Sequence, residues 1–215
     1  MATLTLSASQ RDLLSEATGL YQEALAGSPA MAYLASRGLE AVAAQYRLGY
    51  VASPAFGHEF AQGMLAIPYL TPAGPVGMKF RRLDDGLPKY RGVPGQPSRL
   101  FNFPALFRAV DEVAICEGEV DTSTLDGVVG IPAVGIAGAQ NWQRHFAPIF
   151  DGYPKVWIFA DNDQKEDGSN PGWELAKTVV KAVPHAVMVS LPPNTDVNQM
   201  CNERGREAVL SLIRK

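Results

Sequence analysis

Cysteine and histidine are scarce in this chain, and their scarcity excludes several kinds of site. The 215 residues include 2 cysteines and 3 histidines. Cys116 and Cys201 alone cannot supply a zinc site with four cysteine ligands, and Cys116 lies within an apolar run, so a disulfide framework is not expected either. The histidines, His58, His145 and His185, lack the spacing to cysteine or carboxylate that zinc sites and catalytic triads show. We therefore expect no zinc ligands and a reducing compartment.

Long apolar runs are absent as well. No run approaches the roughly 18 apolar residues that a membrane-spanning helix needs. The opening residues, MATLTLSASQ, have no basic start followed by an apolar core, which a secretion signal would have. The net charge of −3 argues against a protein that binds nucleic acid with its whole surface. The sequence therefore predicts a soluble cytoplasmic protein that does not bind a membrane.

Helical patterns occupy the first part of the chain. Ser9 is a suitable N-cap for a helix that runs to about Ala26. Ser28 and Pro29 have the cap and first-turn chemistry of a second helix, which Gly38 should end. The segment LEAVAAQY that follows predicts a third, short helix.

Strand patterns come next. The segments RLGYV, GMLAIPYL and VGMKFRRL predict strands, and the turn sequences TPAGP and DDG favour an antiparallel meander. Residues 92–98, GVPGQPS, contain too much glycine and proline for a helix or a strand and predict a loop. We therefore expect an α+β subdomain over residues 1–110.

Strands and helices alternate from about residue 111 onward. The predicted strands are VAIC, IPAVGI, VWIFA and AVMVSL. The predicted helices are DTSTLDG, QNWQRHFAPIF, PGWELAKTVVKA and one or two helices within DVNQMCNERGREAVLSLIRK. Such alternation is typical of a parallel sheet with right-handed crossovers. Residues 111–215 are therefore expected to form an α/β domain.

Carboxylates follow two of these strands directly. Glu117 comes after VAIC, and Asp161 and Asp163 come after VWIFA. If the two strands are neighbours, their carboxyl ends meet at one edge of the sheet, where ligands bind in open α/β folds. Three converging carboxylates would repel one another unless a hard divalent cation joined them. The sequence therefore predicts a Mg²⁺ or Mn²⁺ site for phosphoryl transfer.

Groups that could hold phosphate accompany the acids. Gly135 and Gly138 precede a predicted helix, where backbone N–H groups can approach phosphate. Basic residues are concentrated in one segment, although the net charge of the chain is negative. Arginine is well suited to bidentate contacts with phosphate. These basic residues are Lys79, Arg81, Arg82, Lys89, Arg91, Arg99 and Arg108.

The acidic motifs and the segments around them resemble a known family. EGEVD, GIAGAQ and ADND resemble the topoisomerase-primase (TOPRIM) domain, whose pattern is a Glu followed by a D-x-D pair. Upstream, YLASRGLEAVAAQYRLGYV, GMKFRRLDDGLPKY and SRLFNFPALFRA resemble segments of DnaG-type primases in the same order. LPPNTDVNQMCNERGREAV resembles the tail that follows TOPRIM in those enzymes. The resemblance covers roughly residues 29–213.

The resemblance implies a DNA primase, which synthesises RNA primers from ribonucleoside triphosphates on a single-stranded DNA template during replication. A replicative helicase is a further partner that it allows, and the Glu-Gly-Glu spelling at 117–119 resembles phage helicase-primases, which would place the protein in the host cytoplasm. Carried over by motif, the residues fall into three groups. The first group is Glu117, Asp161 and Asp163, the catalytic acids, which together with Asp121 would also bind the metal; the second is Asp196, which matches the acid in the tail; and the third is Arg81, Lys89 and Arg99, which would face nucleotide or template.

Each assignment has a simpler alternative. An acid after a strand is often an N-cap, and Asp121 is as well explained by capping a helix. Gly135 and Gly138 are equally well explained as turn glycines, and the basic run as an ordinary strand face. At the level of function, a TOPRIM nuclease and a non-catalytic replication adaptor with the same fold are the alternatives to a primase.

Overall fold

A computed structural model describes residues 6–109, 111–138, 140–164 and 167–214. It divides the chain into two compact units, Met1–Arg99 and Leu100–Lys215. Within the described ranges, every helix is too short or too polar to cross a membrane.

The helices of the first unit begin at side-chain caps. Helix α1 spans Ala8–Glu23, and Ser7, two residues before the predicted cap, accepts a hydrogen bond from the Gln10 backbone N–H. Helix α2 spans Pro29–Ser36 and is capped by Ser28, as predicted. The predicted third helix is only a 3₁₀ turn, Glu40–Val42.

An antiparallel meander completes the first unit. Its strands, in spatial order, are β1 (Gly49–Tyr50), β2 (Leu65–Thr71), β3 (Gly74–Arg81) and β4 (Tyr90–Gly92). The predicted meander is confirmed, and β4 is an addition that the sequence did not predict. Met78 and Phe80 on one face of β3 are buried together with Ala17 and Tyr21 of α1.

The second unit is built on a four-stranded parallel sheet. Its strands are β5 (Glu112–Cys116), β6 (Ala133–Gly135), β7 (Lys155–Ala160) and β8 (Ala186–Ser190), in the spatial order β6-β5-β7-β8. Every neighbouring pair is parallel, so the predicted α/β architecture is confirmed. Alternate residues of β5 enter different cores: Val113 and Ile115 one, Ala114 and Cys116 the other. The sheet is therefore covered on both faces.

Helices and helical turns connect these strands. The α-helices are α3 (Ala105–Arg108), α4 (Glu119–Ser123), α5 (Pro171–Ala182), α6 (Val197–Arg204) and α7 (Arg206–Leu210). A π-helical stretch, Thr124–Val129, continues α4. The predicted helix in QNWQRHFAPIF is a 3₁₀ helix, Arg144–Phe150, containing Pro148, which has no N–H to donate within an α-helix.

The boundary between the units precedes the one predicted after residue 110. Leu100, Ala105 and Leu106 are buried in the core of the second unit. Phe101 forms an antiparallel bridge with Gly135 at the end of β6. The segment that leads into β5 therefore belongs to the second unit, because its apolar side chains complete that core.

Candidate active site

Two of the predicted acids lie at one edge of the parallel sheet. β5 and β7 are neighbours, and Cys116 at the end of β5 is paired with Phe159 near the end of β7. Glu117 directly follows β5, and Asp161 directly follows β7. The predicted neighbouring of the two acid-bearing strands is therefore confirmed, and Glu117 and Asp161 emerge at the same end of adjacent strands.

Asp161 has an unfavourable environment for a negative charge. Its Oδ1 atom is buried and has no hydrogen-bond partner among the described residues. Burial is the largest of the causes that together raise the pKa of Asp161 from its ordinary 3.8 to about 9; the others are the negative charges of Asp121, Glu117, Asp196 and Asp163, in that order. The negative charges of these acids therefore disfavour the charged form of Asp161 at the carboxyl edge of the sheet.

The donor set fits a hard divalent cation, although no closed ligand cage is formed. Carboxylate oxygens are the ligands that Mg²⁺ and Mn²⁺ prefer, and the bare Oδ1 of Asp161 is a buried acceptor that a cation would satisfy. Within residues 6–109, 111–138, 140–164 and 167–214, however, no three His, Cys, Asp or Glu side chains are arranged to hold a metal ion.

Asp121 is tied to helix α6. It lies inside α4, whose N-cap is Gly118, so it does not cap that helix. One carboxylate oxygen instead accepts a hydrogen bond of 2.9 Å from the backbone N–H of Asn198 in the first turn of α6. The fully buried Asn198 also donates from Nδ2 to Thr124 Oγ1 at 2.9 Å. This arrangement fixes one face of Asp121 and joins α6 to the π-helical stretch.

Asp196 caps the same helix. Its Oδ1 accepts a hydrogen bond of 2.6 Å from the Gln199 backbone N–H. The acid that the sequence placed in the tail therefore has a structural partner as well as an electrostatic effect on Asp161.

The backbone N–H groups of Gly135, the last residue of β6, and of Gly138, in the loop that follows, are already bonded. Gly135 N–H donates to Phe101 O at 3.1 Å, and Gly138 N–H donates to Glu117 O at 3.0 Å. A Cβ at Gly135 would lie 2.6 Å from Thr122 Oγ1. Gly135 therefore lies at the end of a strand and close to the Thr122 side chain, and the bond from Gly138 N–H joins the loop after β6 to Glu117.

The basic residues of the first unit lie in different settings. Lys79 and Arg81 alternate along β3 with the buried Met78 and Phe80, so they share the opposite face of the strand. Arg81 stacks on Tyr33, with its guanidinium carbon 4.0 Å from the ring centroid, and its Nε is buried without a partner among the described residues.

The other predicted basic residues differ in exposure and in their contacts. Lys89 is exposed and Arg99 is half-buried. Arg82 pairs with Asp84 at 2.6 Å. Arg108 lies in the second unit, where its Nη2 donates to both oxygens of the buried Asp126 at 2.9 Å. Arg82 and Arg108 therefore have structural partners.

Sequence reasoning missed several residues around the acids. Asn162, the middle residue of D-x-D, bonds to the loop between β8 and α6. Gly172 lies against the backbone of Asp161. In the first unit, Tyr33, on whose ring Arg81 stacks, was missed as well. The N-cap signal of Asn170 before Pro171 was present in the sequence, whereas the contacts of Asn162 and Gly172 connect residues that only the fold brings together.

Comparison with known proteins gives matches to the second unit and to the whole chain. Residues 112–207 match the Toprim domain family. The Gene 57 protein of Mycobacterium phage D29 is 42% identical over 157 residues, which cover 71% of this chain and 99% of that protein.

Similar solved structures are primases. The Aquifex aeolicus primase structure, comprising zinc-binding and RNA polymerase domains, has a TM-score of 0.79 and 23% identity; the alignment covers 97% of this chain and 61% of that one. A DnaG primase catalytic domain bound to single-stranded DNA has a TM-score of 0.75 and 20% identity, over 96% of this chain and 80% of that one. The chain therefore belongs to the family of the phage D29 Gene 57 protein, and it has the fold of a DnaG-type primase core with a TOPRIM domain.

Proposed function

We propose that this protein is the catalytic core of a DNA primase that joins ribonucleoside triphosphates on a single-stranded DNA template. The observation that carries the proposal is the placement of Glu117 and Asp161 directly after adjacent parallel strands, where the charges of neighbouring acids act on Asp161. The fold of DnaG-type cores around this edge supports nucleotidyl transfer as the chemistry.

In this proposal the acids have two roles, metal binding and proton transfer. Asp161 and Asp163 would hold Mg²⁺ or Mn²⁺, with Glu117 completing the set and Asp121 supporting it. A bound cation would supply charge stabilisation at the reacting phosphate. Glu117 would accept the proton of the attacking hydroxyl, and the bond from Gly138 N–H to Glu117 O at 3.0 Å would hold its backbone in place.

The first unit would supply phosphate contacts. Arg81 is held against Tyr33, and its buried Nε is a donor without a partner among the described residues. We assign Arg81 and the exposed Lys89 to template or triphosphate phosphates, with Arg99 as a further basic residue of the same unit. The single-stranded DNA bound to a DnaG catalytic domain of similar fold supports a DNA template as the partner.

Two other functions would use the same fold. A TOPRIM nuclease would cleave strands with the same acids, and a replication adaptor would keep the fold without the chemistry. The likeness to primase cores extends over 97% of the chain, including the first unit, and this extent favours primase over either alternative. We extend the proposal to a role in the replication of a phage, in the host cytoplasm and beside a helicase; the phage source of a relative supports the phage part of it.

The test is an incubation of the protein with single-stranded DNA, labelled ribonucleotides and Mn²⁺ or Mg²⁺. New short RNA that depends on template and on Asp161 supports primase, and Asp161→Asn should abolish it. Shortened DNA would instead establish a nuclease. DNA binding without either product would establish the adaptor.

A further inference from the structure

We propose that Asn162, Asn170 and Gly172 are positioning residues that hold the Asp161 to Asp163 segment in place for a divalent cation. The inference rests on the proposed function, since it concerns the same acids. None of the three side chains is itself placed in the ligand set. Each acts through the backbone that carries the carboxylates.

Gly172 fixes the position of the Asp161 backbone. It is buried in the first turn of α5. A Cβ at this position would overlap the Asp161 carbonyl oxygen and lie 3.0 Å from the Asp161 backbone nitrogen. Backbone atoms cannot turn aside as a side chain can, so any larger residue at 172 must displace either α5 or Asp161.

Asn162 anchors the same segment to the loop between β8 and α6. Its Nδ2 donates to Leu191 O at 2.8 Å. Its carbonyl oxygen accepts from Asn194 N–H at 2.7 Å, and its own N–H donates to Thr195 O at 3.4 Å. The residue between the two aspartates is therefore held by its side chain and by both of its backbone polar groups.

Asn170 joins this anchor to α5. Its Oδ1 caps the helix by accepting from Trp173 N–H at 3.2 Å, and its Nδ2 donates to Asn162 Oδ1 at 3.0 Å. A backbone N–H can only donate and a backbone carbonyl can only accept, so Trp173 at one end and Leu191 at the other fix both amide orientations. The chain of bonds links the start of α5, the D-x-D segment and the loop after β8.

Two substitutions separate positioning from ordinary helix stability. Gly172→Ala introduces a better helix former into α5, so a merely helical role predicts a more stable protein with unchanged cation binding. Asn170→Ser keeps a capping oxygen of similar quality and removes the amide that reaches Asn162. Gly152→Ala is the matched control, because a Cβ at Gly152 would meet no atom within 4 Å.

The experiment measures melting temperature against Mn²⁺ concentration for the full chain and for each variant. Loss of positioning should weaken the apparent Mn²⁺ affinity about 10-fold or more, as expected when groups that orient metal ligands are removed, and excess Mn²⁺ should restore the stabilisation. Gly152→Ala should bind Mn²⁺ as the unmodified protein does. If Gly172→Ala does not fold, the apparent Mn²⁺ affinity of Asn170→Ser alone tests the positioning role.

The outcomes distinguish this inference from the proposed function. Affinities within about 2-fold of the unmodified protein, with only the metal-free melting temperature changed, would overturn the positioning role and leave the cation site standing. An unmodified protein that Mn²⁺ does not stabilise at all would overturn the cation site, and the positioning role with it.

Discussion

At the scale of single residues, Asp161 combines burial, a bare oxygen atom and four acidic neighbours. In the metal-free protein Asp161→Asn puts a neutral amide where the folded state would otherwise have to hold a protonated carboxyl, so the variant should be as stable as the unmodified protein or more stable by about 1 kcal/mol. The stabilisation by Mn²⁺ should vanish, because a ligand raises the melting temperature only by binding the folded state. Thermal-shift titration measures both effects.

Asp163→Asn should behave in the same way, and the exposed Asp151→Asn is the control. Retention of the full Mn²⁺-dependent shift by both Asp161→Asn and Asp163→Asn would place the cation elsewhere.

Glu117→Gln should separate metal binding from chemistry. If Glu117 mainly accepts a proton, the amide should leave much of the Mn²⁺ stabilisation in place while RNA synthesis is lost. The measurement pairs a Mn²⁺ thermal-shift titration with a primer-synthesis assay on the same preparation. If Glu117→Gln loses Mn²⁺ stabilisation and RNA synthesis to the same extent, the main role of Glu117 is to bind the metal.

The pKa of Asp161 predicts how stability depends on pH. Burial and like charge raise this pKa from 3.8 to about 9 in the folded, metal-free protein. The folded state therefore holds a proton that the unfolded state releases, and this contribution to the free energy of unfolding is greatest below about pH 4 and declines as the pH rises towards 9. Urea denaturation in a chelator across this range should show the decline, and Asp161→Asn should reduce it. An identical pH profile for the two proteins would contradict the raised pKa.

At the scale of elements, the sequence predicted most of the parallel sheet. The four apolar runs became β5 to β8, because β-branched segments between turn residues suit strands buried on both faces. Shorter elements were harder to predict. LEAVAAQY has helical composition but forms only the turn Glu40–Val42, and β4 exists because its three residues pair with the edge of β3.

The acids of the candidate site could be predicted from the sequence, but the residues that hold those acids in place could not. Glu117 and Asp161 follow recognisable strands, so their meeting depends on strand order alone. The bond between Asp121 and Asn198 joins residues 77 positions apart, and the contact of Gly172 with Asp161 crosses a loop. Neither contact produces a periodic pattern in the sequence, because each depends on how the helices pack against the sheet.

Arg81 at the end of β3 and Lys89 just before β4 predict weak, salt-dependent binding to single-stranded DNA. Arg81→Gln with Lys89→Gln should lower affinity for single-stranded DNA of any sequence, because phosphate contacts do not read bases. Each lost contact should reduce the slope of log affinity against log salt by roughly 0.7. Fluorescence anisotropy at several salt concentrations measures both quantities.

The control for this pair is Lys181→Gln, which removes an exposed charge from α5. Unchanged binding after the double substitution would remove Arg81 and Lys89 from the template path.

At the scale of the whole molecule, the match to the Toprim domain begins at residue 112, whereas the second unit begins at Leu100. The intervening residues contribute Leu100 and Leu106 to the core, and Arg108 pairs with the fully buried carboxylate of Asp126. Leaving a buried charge without its partner costs about 3–5 kcal/mol. The family boundary is therefore not the folding boundary.

The choice of first residue, 100 or 112, matters when the TOPRIM domain is expressed by itself. A fragment that starts at residue 112 lacks the Phe101 bridge, so the backbone N–H and C=O of Gly135 lose their partners on the outer edge of β6. An unprotected strand edge is a template for aggregation. A fragment of residues 100–215 should unfold cooperatively and stay monomeric in sedimentation experiments, while one of residues 112–215 should aggregate; equal behaviour of the two would show that residues 100–111 are dispensable.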